Sequence, residues 1–245
     1  MTRLTNTLCA VAFSVLLLAG ADAAPLTVPF DFSRFAIGLD VTVKGVPLYM
    51  ILDTGVNPSA IDSRRAETLG LPMQRNAGGE ASGEGDAAMA QVFPATIDGL
   101  ALGGRSFPAV DALAMDMSTL SASYGRTLDG VLGYSFLKDR VVLIDYPRNT
   151  LSILSRASEA DSRMRGCAKR YAIALRSYAG DTIPVIPDFR FGAKSTPITL
   201  DTGSNGGISL YAGALDLPGI RAGYVETGET GATGPAATPR RRPAR

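Results

Sequence analysis

The sequence predicts a mostly β chain built on a duplicated strand-and-turn unit, and three observations carry that prediction. Met50-Ile51-Leu52-Asp53-Thr54-Gly55 returns downstream as Ile198-Thr199-Leu200-Asp201-Thr202-Gly203. Phe35, Ile37, Leu39, Val41 and Val43 are apolar while Asp40 and Thr42 fall between them, the two-residue period of a half-buried strand. Residues 140–145 and 150–154, joined through Tyr146-Pro147-Arg148-Asn149, read as a further hairpin.

Taken in order, residues 1–23 read as a secretory signal. Arg3 gives a positive start, residues 8–19 an apolar core too short for a membrane span, and Ala21-Asp22-Ala23 a small-x-small cleavage site. The mature chain is expected to begin at Ala24, in the periplasm or outside the cell. It would keep only Cys167 of the two cysteines, so no internal disulfide is expected.

After the alternating stretch, Lys44-Gly45 turns the chain, and residues 46–52 return as a buried strand that delivers Asp53 into a bend made by Gly55. Asn57-Pro58-Ser59 is expected as a loop and residues 62–69 as a short helix closed by Gly70. Residues 76–91 are rich in Gly, Ala, Ser and Glu. There Gly78, Gly79, Gly83 and Gly85 exclude a rigid helix and suit a surface hairpin, either a lid or a plain connector.

Residues 100–102 and 106–110 read as short strands around Gly103-Gly104. In Asp129-Gly130-Val131-Leu132-Gly133, two apolar residues before a Gly suit a strand passing close behind another backbone, where a Cβ would collide. Residues 24–155 thus form a first lobe and the polar stretch 156–180 a linker. The pattern restarts in residues 181–225. Ile183-Pro184-Val185 and Phe189-Arg190-Phe191 make a first strand, placed partly at a sheet edge by Pro184 and Pro187, and residues 196–200 enter Asp201. Residues 226–245 are Gly, Ala, Thr, Pro and Arg, cannot bury a core, and are expected as a disordered basic tail.

With 24 basic and 23 acidic residues the formal net charge is +1, so no global field favours nucleic acid, and the terminal arginines lack interleaved aromatics. The sequence contains no His, which removes Ser-His-Asp and Cys-His chemistry and every His-based zinc site. Carboxylates become the leading acid and base. Asp-Thr-Gly alone is a common turn tripeptide. Two copies after matching apolar runs can set Asp53 and Asp201 face to face in different protonation states, which carboxylate chemistry requires.

These segments resemble the retropepsin-like and pepsin-like aspartic proteases. The resemblance rests on the two apolar-Asp-Thr-Gly segments, on Val131-Leu132-Gly133, and on the Gly-rich stretch between them. The wording of residues 129–137 is similar to bacterial secreted members with two such units. It runs over residues 35–154 and again over 183–210.

It implies acid-protease-like β-barrel lobes, the first complete and the second partial, and an aspartic endopeptidase acting on a peptide or protein substrate without metal or organic cofactor. Asp53 and Asp201 would share one proton, because like charges about 3 Å apart cannot both ionise, an effect for which this family is the standard instance. Thr54 and Thr202 would lock the two loops together, and Gly55 and Gly203 would present N–H groups to the carboxylates. Val131, Leu132 and Gly133 would support the site, and Gly78, Gly79, Gly83 and Gly85 would belong to a flap. Val56 stands where members usually carry Ser or Ala, whereas Ser204 follows the second copy as in pepsin-like enzymes.

No second apolar-apolar-Gly element fits after Asp201, so the second lobe is expected to be truncated. Two alternatives stay open: a homodimer using Asp53 from each chain, and a non-catalytic peptide-binding form that keeps the cleft. Neither a nucleic-acid partner nor a membrane span after signal removal is expected.

Overall fold

Short apolar runs interrupted by Gly and Pro favour strands over long helices, and strands carry this architecture. The computed structural model describes residues 24–81, 90–156, 158–159, 161, 164–166, 171–178, 181–191, 194–204, 208 and 220. In chain order it contains β1 (Leu26–Pro29), β2 (Ile37–Val43), β3 (Val46–Leu52), β4 (Ser59–Asp62) and α1 (Ser63–Thr68). There follow β5 (Gly79–Ala81), β6 (Ala90–Ile97), β7 (Leu100–Leu102), β8 (Arg105–Ser106), β9 (Val110–Met115) and α2 (Ser118–Tyr124). The first half closes with β10 (Gly130–Leu132), α3 (Tyr134–Leu137), β11 (Val141–Asp145) and β12 (Thr150–Leu154). The second contributes β13 (Ala174–Tyr178), β14 (Asp181–Phe191) and β15 (Lys194–Thr199).

The main sheet runs β5-β6-β9-β4-β10-β3-β2-β7-β8. Its β2–β3 hairpin pairs from Ile37 with Leu52 to Val43 with Val46. Lys44 and Gly45 both have positive φ, 50° and 79°, as a two-residue turn matching the strand twist demands. Between β3 and β4 lies β10, parallel to the first and antiparallel to the second. Met50 and Leu52 face one apolar cluster with Leu39, Ile61, Leu132 and Phe136, while Tyr49 and Ile51 face another with Ala60, Leu128 and Val131. Burial on both faces explains why β3 reads as a continuous apolar run. The sheet is open: β5 and β8 end it without pairing to each other. The chain is mostly β, but the expected barrel does not close among the described residues, and end strands of three and two residues are too short to close one.

Several local expectations are corrected. Phe35 was expected to start β2 facing inward. It is 66% exposed at φ 60°, because the chain doubles back between Asp31 and Gly38, whose backbones bond to each other, and the strand begins only at Ile37. Ser59 is not loop but the start of β4, parallel to β9. The strand expected at 106–110 is split, β8 ending at Ser106 and β9 starting at Val110. Gly79 lies in β5, hairpin partner of β6, and Gly78 just before it; Gly83 and Gly85 lie outside the described residues.

In the second half the order is β13-β14-β15, so the Pro-bearing strand is central rather than at an edge. Pro184 pairs with Leu175 and its carbonyl accepts the Leu200 N–H, while Pro187 falls in a bulge between Ile186 and Phe189, where a missing donor costs least. β13 falls inside the stretch expected as a linker. The signal and the basic tail lie outside the described residues, as does most of 205–225. No helix among the described residues is long and apolar enough to cross a membrane.

Candidate active site

Strand β3 ends at Leu52 and hands the chain to Asp53, whose N–H donates to the Leu132 carbonyl at 3.0 Å. The Val131-Leu132-Gly133 segment is thus the backing of the Asp53 loop. Val131 and Leu132 are buried, and a Cβ on Gly133 would collide with the Val56 carbonyl oxygen and lie 3.1 Å from that of Pro58. Tyr134 N–H, next along, donates to the Val56 carbonyl at 2.7 Å. Asp129, ahead of β10, is buried with Oδ2 accepting the Tyr49 N–H at 2.8 Å and Oδ1 accepting Nε of Arg65 at 2.7 Å. The segment is therefore tied to β3 and α1 before it reaches the loop.

Sequence reasoning missed a second brace. The buried Ser59 hydroxyl accepts the Gly133 N–H at 2.9 Å. Ser135 Oγ accepts the Ser59 N–H at 2.8 Å and donates to the Asp111 carbonyl at 2.7 Å, so the 2.8 Å contact between the two hydroxyls has Ser59 as donor. Ser59→Ala removes the hydroxyl that accepts the buried Gly133 N–H and is expected to cost about 1–3 kcal/mol of stability, read as a lower urea midpoint. An unchanged midpoint would show that the brace contributes nothing.

The two Asp-Thr-Gly loops interlock. Thr54 N–H donates to Thr202 Oγ1 and Thr202 N–H to Thr54 Oγ1, both at 3.1 Å. Each threonine hydroxyl donates in turn to a carbonyl of the opposite segment: Thr202 to Leu52 at 3.0 Å, and Thr54 to Leu200. The exchange is reciprocal, as a duplicated unit about a pseudo-twofold axis allows. Gly55 N–H donates to Asp53 Oδ1 at 2.7 Å, and the N–H groups of Gly203 and Ser204 donate to Asp201 Oδ1 at 2.7 and 2.9 Å.

The glycines permit the close approach. A Cβ on Gly55 would lie 3.0 Å from Asp201 Cγ and 3.2 Å from Asp53 Oδ1, and one on Gly203 would collide with the Asp53 carboxylate. Both carboxyl groups therefore meet at the loop junction.

Burial pushes the Asp53 carboxyl up to about 8, with the neighbouring Asp201 charge adding to the rise. The N–H groups of Gly55 and Gly203 pull the other way without overcoming it. A folded chain that keeps a proton the unfolded chain releases loses stability as pH rises between 3.8, the ordinary value, and about 8. Denaturation at pH 4, 6 and 8 is expected to show a fall of at most about 1.4 kcal/mol per pH unit from this group, absent in Asp53→Asn. Equal pH slopes in the two proteins would contradict the assignment.

Among the described residues no three Cys, Asp or Glu side chains gather into a metal-holding group. A surface cavity of about 470 Å³, lined by Asp62, Arg65, Asp116, Leu128 and Asp129 among others, takes no residue from either Asp-Thr-Gly loop. What the loop junction can do is hold one proton between two carboxyl groups and move it.

Residues 39–136 match the model of a family described as aspartyl protease. No curated protein sequence matches the chain. Among solved structures it is similar to a retropepsin-like aspartic protease from Rickettsia conorii, at 18% identity and a TM-score of 0.35, covering 53% of this chain and 89% of that one. It is similar also to the retroviral protease-like domain of Ddi1 from Leishmania major, at 18% identity and a TM-score of 0.32, covering 49% and 92%. Basic 7S globulin from soybean matches at 10% identity and a TM-score of 0.27, over 61% and 47%.

Proposed function

We propose that this chain, whose residues 39–136 match the model of a family described as aspartyl protease, is a retropepsin-like endopeptidase whose acid and base are Asp53 and Asp201 of one chain. The observation that carries the reading is the interlock of the two loops through Thr54 and Thr202, with both carboxyl groups at the junction.

Water held between the carboxyl groups is the nucleophile. As its oxygen attacks the peptide carbonyl, one carboxylate takes a water proton and the other carboxyl gives its own proton to the carbonyl oxygen, forming a neutral diol. Return of a proton to the amide nitrogen then lets the C–N bond break. An extended substrate would lie across the two loops, with main-chain pairing to the β5–β6 hairpin giving register and side-chain pockets giving selectivity.

The apolar leader and the Ala21-Asp22-Ala23 site support export to the periplasm or beyond; a mature N-terminus at Ala24 tests that part. The catalytic part is tested by exposing a mixed peptide library to the wild-type chain from acid to neutral pH, beside Asp53→Asn and Asp201→Asn. Cleavage by wild type alone is expected. Peptide binding without cleavage would replace the proposal with a non-catalytic binder.

A further inference from the structure

Tyr49 lies on β3 two residues before Ile51 and four before Asp53, and it faces the same apolar cluster as Ile51, Val131 and Val56 of the Asp53 loop. Its own neighbours carry charge. The Tyr49 hydroxyl donates to Asp31 Oδ2 at 3.1 Å, so its 3.2 Å contact with the Tyr124 hydroxyl has Tyr124 as donor. Burial pushes the Tyr49 phenol up, so it keeps that proton. Room for the ring comes from Gly38, where a Cβ would overlap the Tyr49 hydroxyl.

Two arginines lie over these tyrosines. The Arg126 guanidinium stands 3.4 Å from the centre of the Tyr49 ring, and that of Arg34 5.7 Å from the centre of the Tyr124 ring. Stacking fixes a guanidinium while leaving its N–H edge able to bond. Both share one carboxylate, Asp31, at 3.6 Å from Arg126 and 3.9 Å from Arg34. Arg126 also lies 3.8 Å from Asp40, a carboxylate 90% exposed whose pull water screens. All three separations exceed hydrogen-bond length. Arg34 uses two donors on Ser33 Oγ and the Gly125 carbonyl, whereas among the described residues the N–H groups of Arg126 stay open to a further acceptor. Asp31 is itself engaged, accepting the Ser33 N–H at 2.9 Å and the Tyr49 hydroxyl. Two guanidinium groups on one engaged carboxylate leave a positive excess, and both arginines are more than a third exposed.

The four residues from Tyr49 to Asp53 span about 13 Å at about 3.3 Å each, and an extended substrate rises by the same amount per residue. We propose that Arg34 and Arg126 are specificity-determining residues that receive a carboxylate side chain of the substrate, so that Glu or Asp within about four residues of the scissile bond is preferred. A planar guanidinium suits a planar carboxylate, which can accept two N–H bonds in parallel. The proposal rests on the endopeptidase activity proposed above for its substrate, but its readout is a difference between two peptides and not turnover itself.

The experiment compares C-terminally amidated peptides that are identical except for Glu or Gln at one position, stepped along both sides of the bond that the wild-type chain cuts. Amidation removes the terminal carboxylate as a second source of the same chemistry. Wild type is expected to favour Glu about tenfold in kcat/KM at one position, through KM, and the preference is expected to shrink as salt screens it. Arg126→Gln should erase the preference and Arg34→Gln should reduce it, while Arg126→Lys, which keeps the charge without the planar fork, should retain part of it. The urea midpoint checks the folding of each variant, and a general loss of activity cancels in the ratio of the two peptides.

Equal rates for Glu and Gln at every position, or a preference that survives both Arg126→Gln and Arg34→Gln, overturns the proposal. If wild type cuts no peptide, the affinities of labelled Glu and Gln peptides for the same chain are compared by fluorescence anisotropy. Tighter binding of a Glu peptide, lost in Arg126→Gln, then keeps the carboxylate site while the proposed activity fails, and equal affinities overturn both.

Discussion

Asp201→Asn is expected to lower kcat/KM by about 10²–10⁴-fold while leaving the chain folded. Asn keeps an Oδ1 that can accept the Gly203 and Ser204 N–H groups, so the loop retains its shape. What disappears is one of the two carboxyl groups proposed to exchange protons with water and substrate. Activity measured beside the urea midpoint separates the two effects: the first should collapse and the second should stay near wild type. The result is also informative about assembly. A dimer drawing Asp53 from each of two chains would leave Asp201 idle, and the substitution would then cost little.

Gly203→Ala is expected to be nearly as damaging, for a steric reason. The methyl group would collide with Asp53 Cγ and Oδ2 and stand 2.9 Å from Oδ1, so the carboxyl group or the loop must move. A displacement of about 1 Å in a positioned catalytic group costs on the order of 10²-fold in rate. Gly55→Ala puts its methyl group 3.0 Å from Asp201 Cγ and 3.2 Å from the nearest oxygens, a gap that a few tenths of an ångström of movement relieves. The predicted order of kcat/KM is therefore wild type above Gly55→Ala above Gly203→Ala. Equal losses at the two glycines would show that the backbone, and not contact with Asp53, decides the effect.

Elements whose period matches their burial were legible in the sequence. The β2–β3 hairpin declared itself through alternation in β2, the Lys44-Gly45 turn and the apolar run into Asp53. Val131-Leu132-Gly133 declared itself through a glycine with no room for a Cβ. The β11–β12 hairpin was bounded by its turn residues.

What escaped was set by tertiary contact. Phe35 continues the alternation on paper, yet a backbone bridge formed before the strand begins turns it outward. Ser59 looked like loop because it follows Pro58, and its place in β4 comes from pairing with Ala112 across the sheet. Pro184 argued for an edge, but β13 covers that side of β14. In the site itself the two aspartates, threonines and glycines could be read from the repeat. The Ser59–Ser135 brace could not, because it joins ordinary serines 76 positions apart with no motif of their own.

In the proposed mechanism a single chain supplies both carboxyl groups. The most direct test is the specific activity on one cleaved library peptide across a hundredfold dilution of enzyme, with the sedimentation coefficient measured at each concentration. Specific activity is expected to stay constant down to concentrations at which the chain sediments as a monomer. Activity that falls in proportion to dilution and disappears with the dimer would contradict it, and would move the second aspartate to another chain.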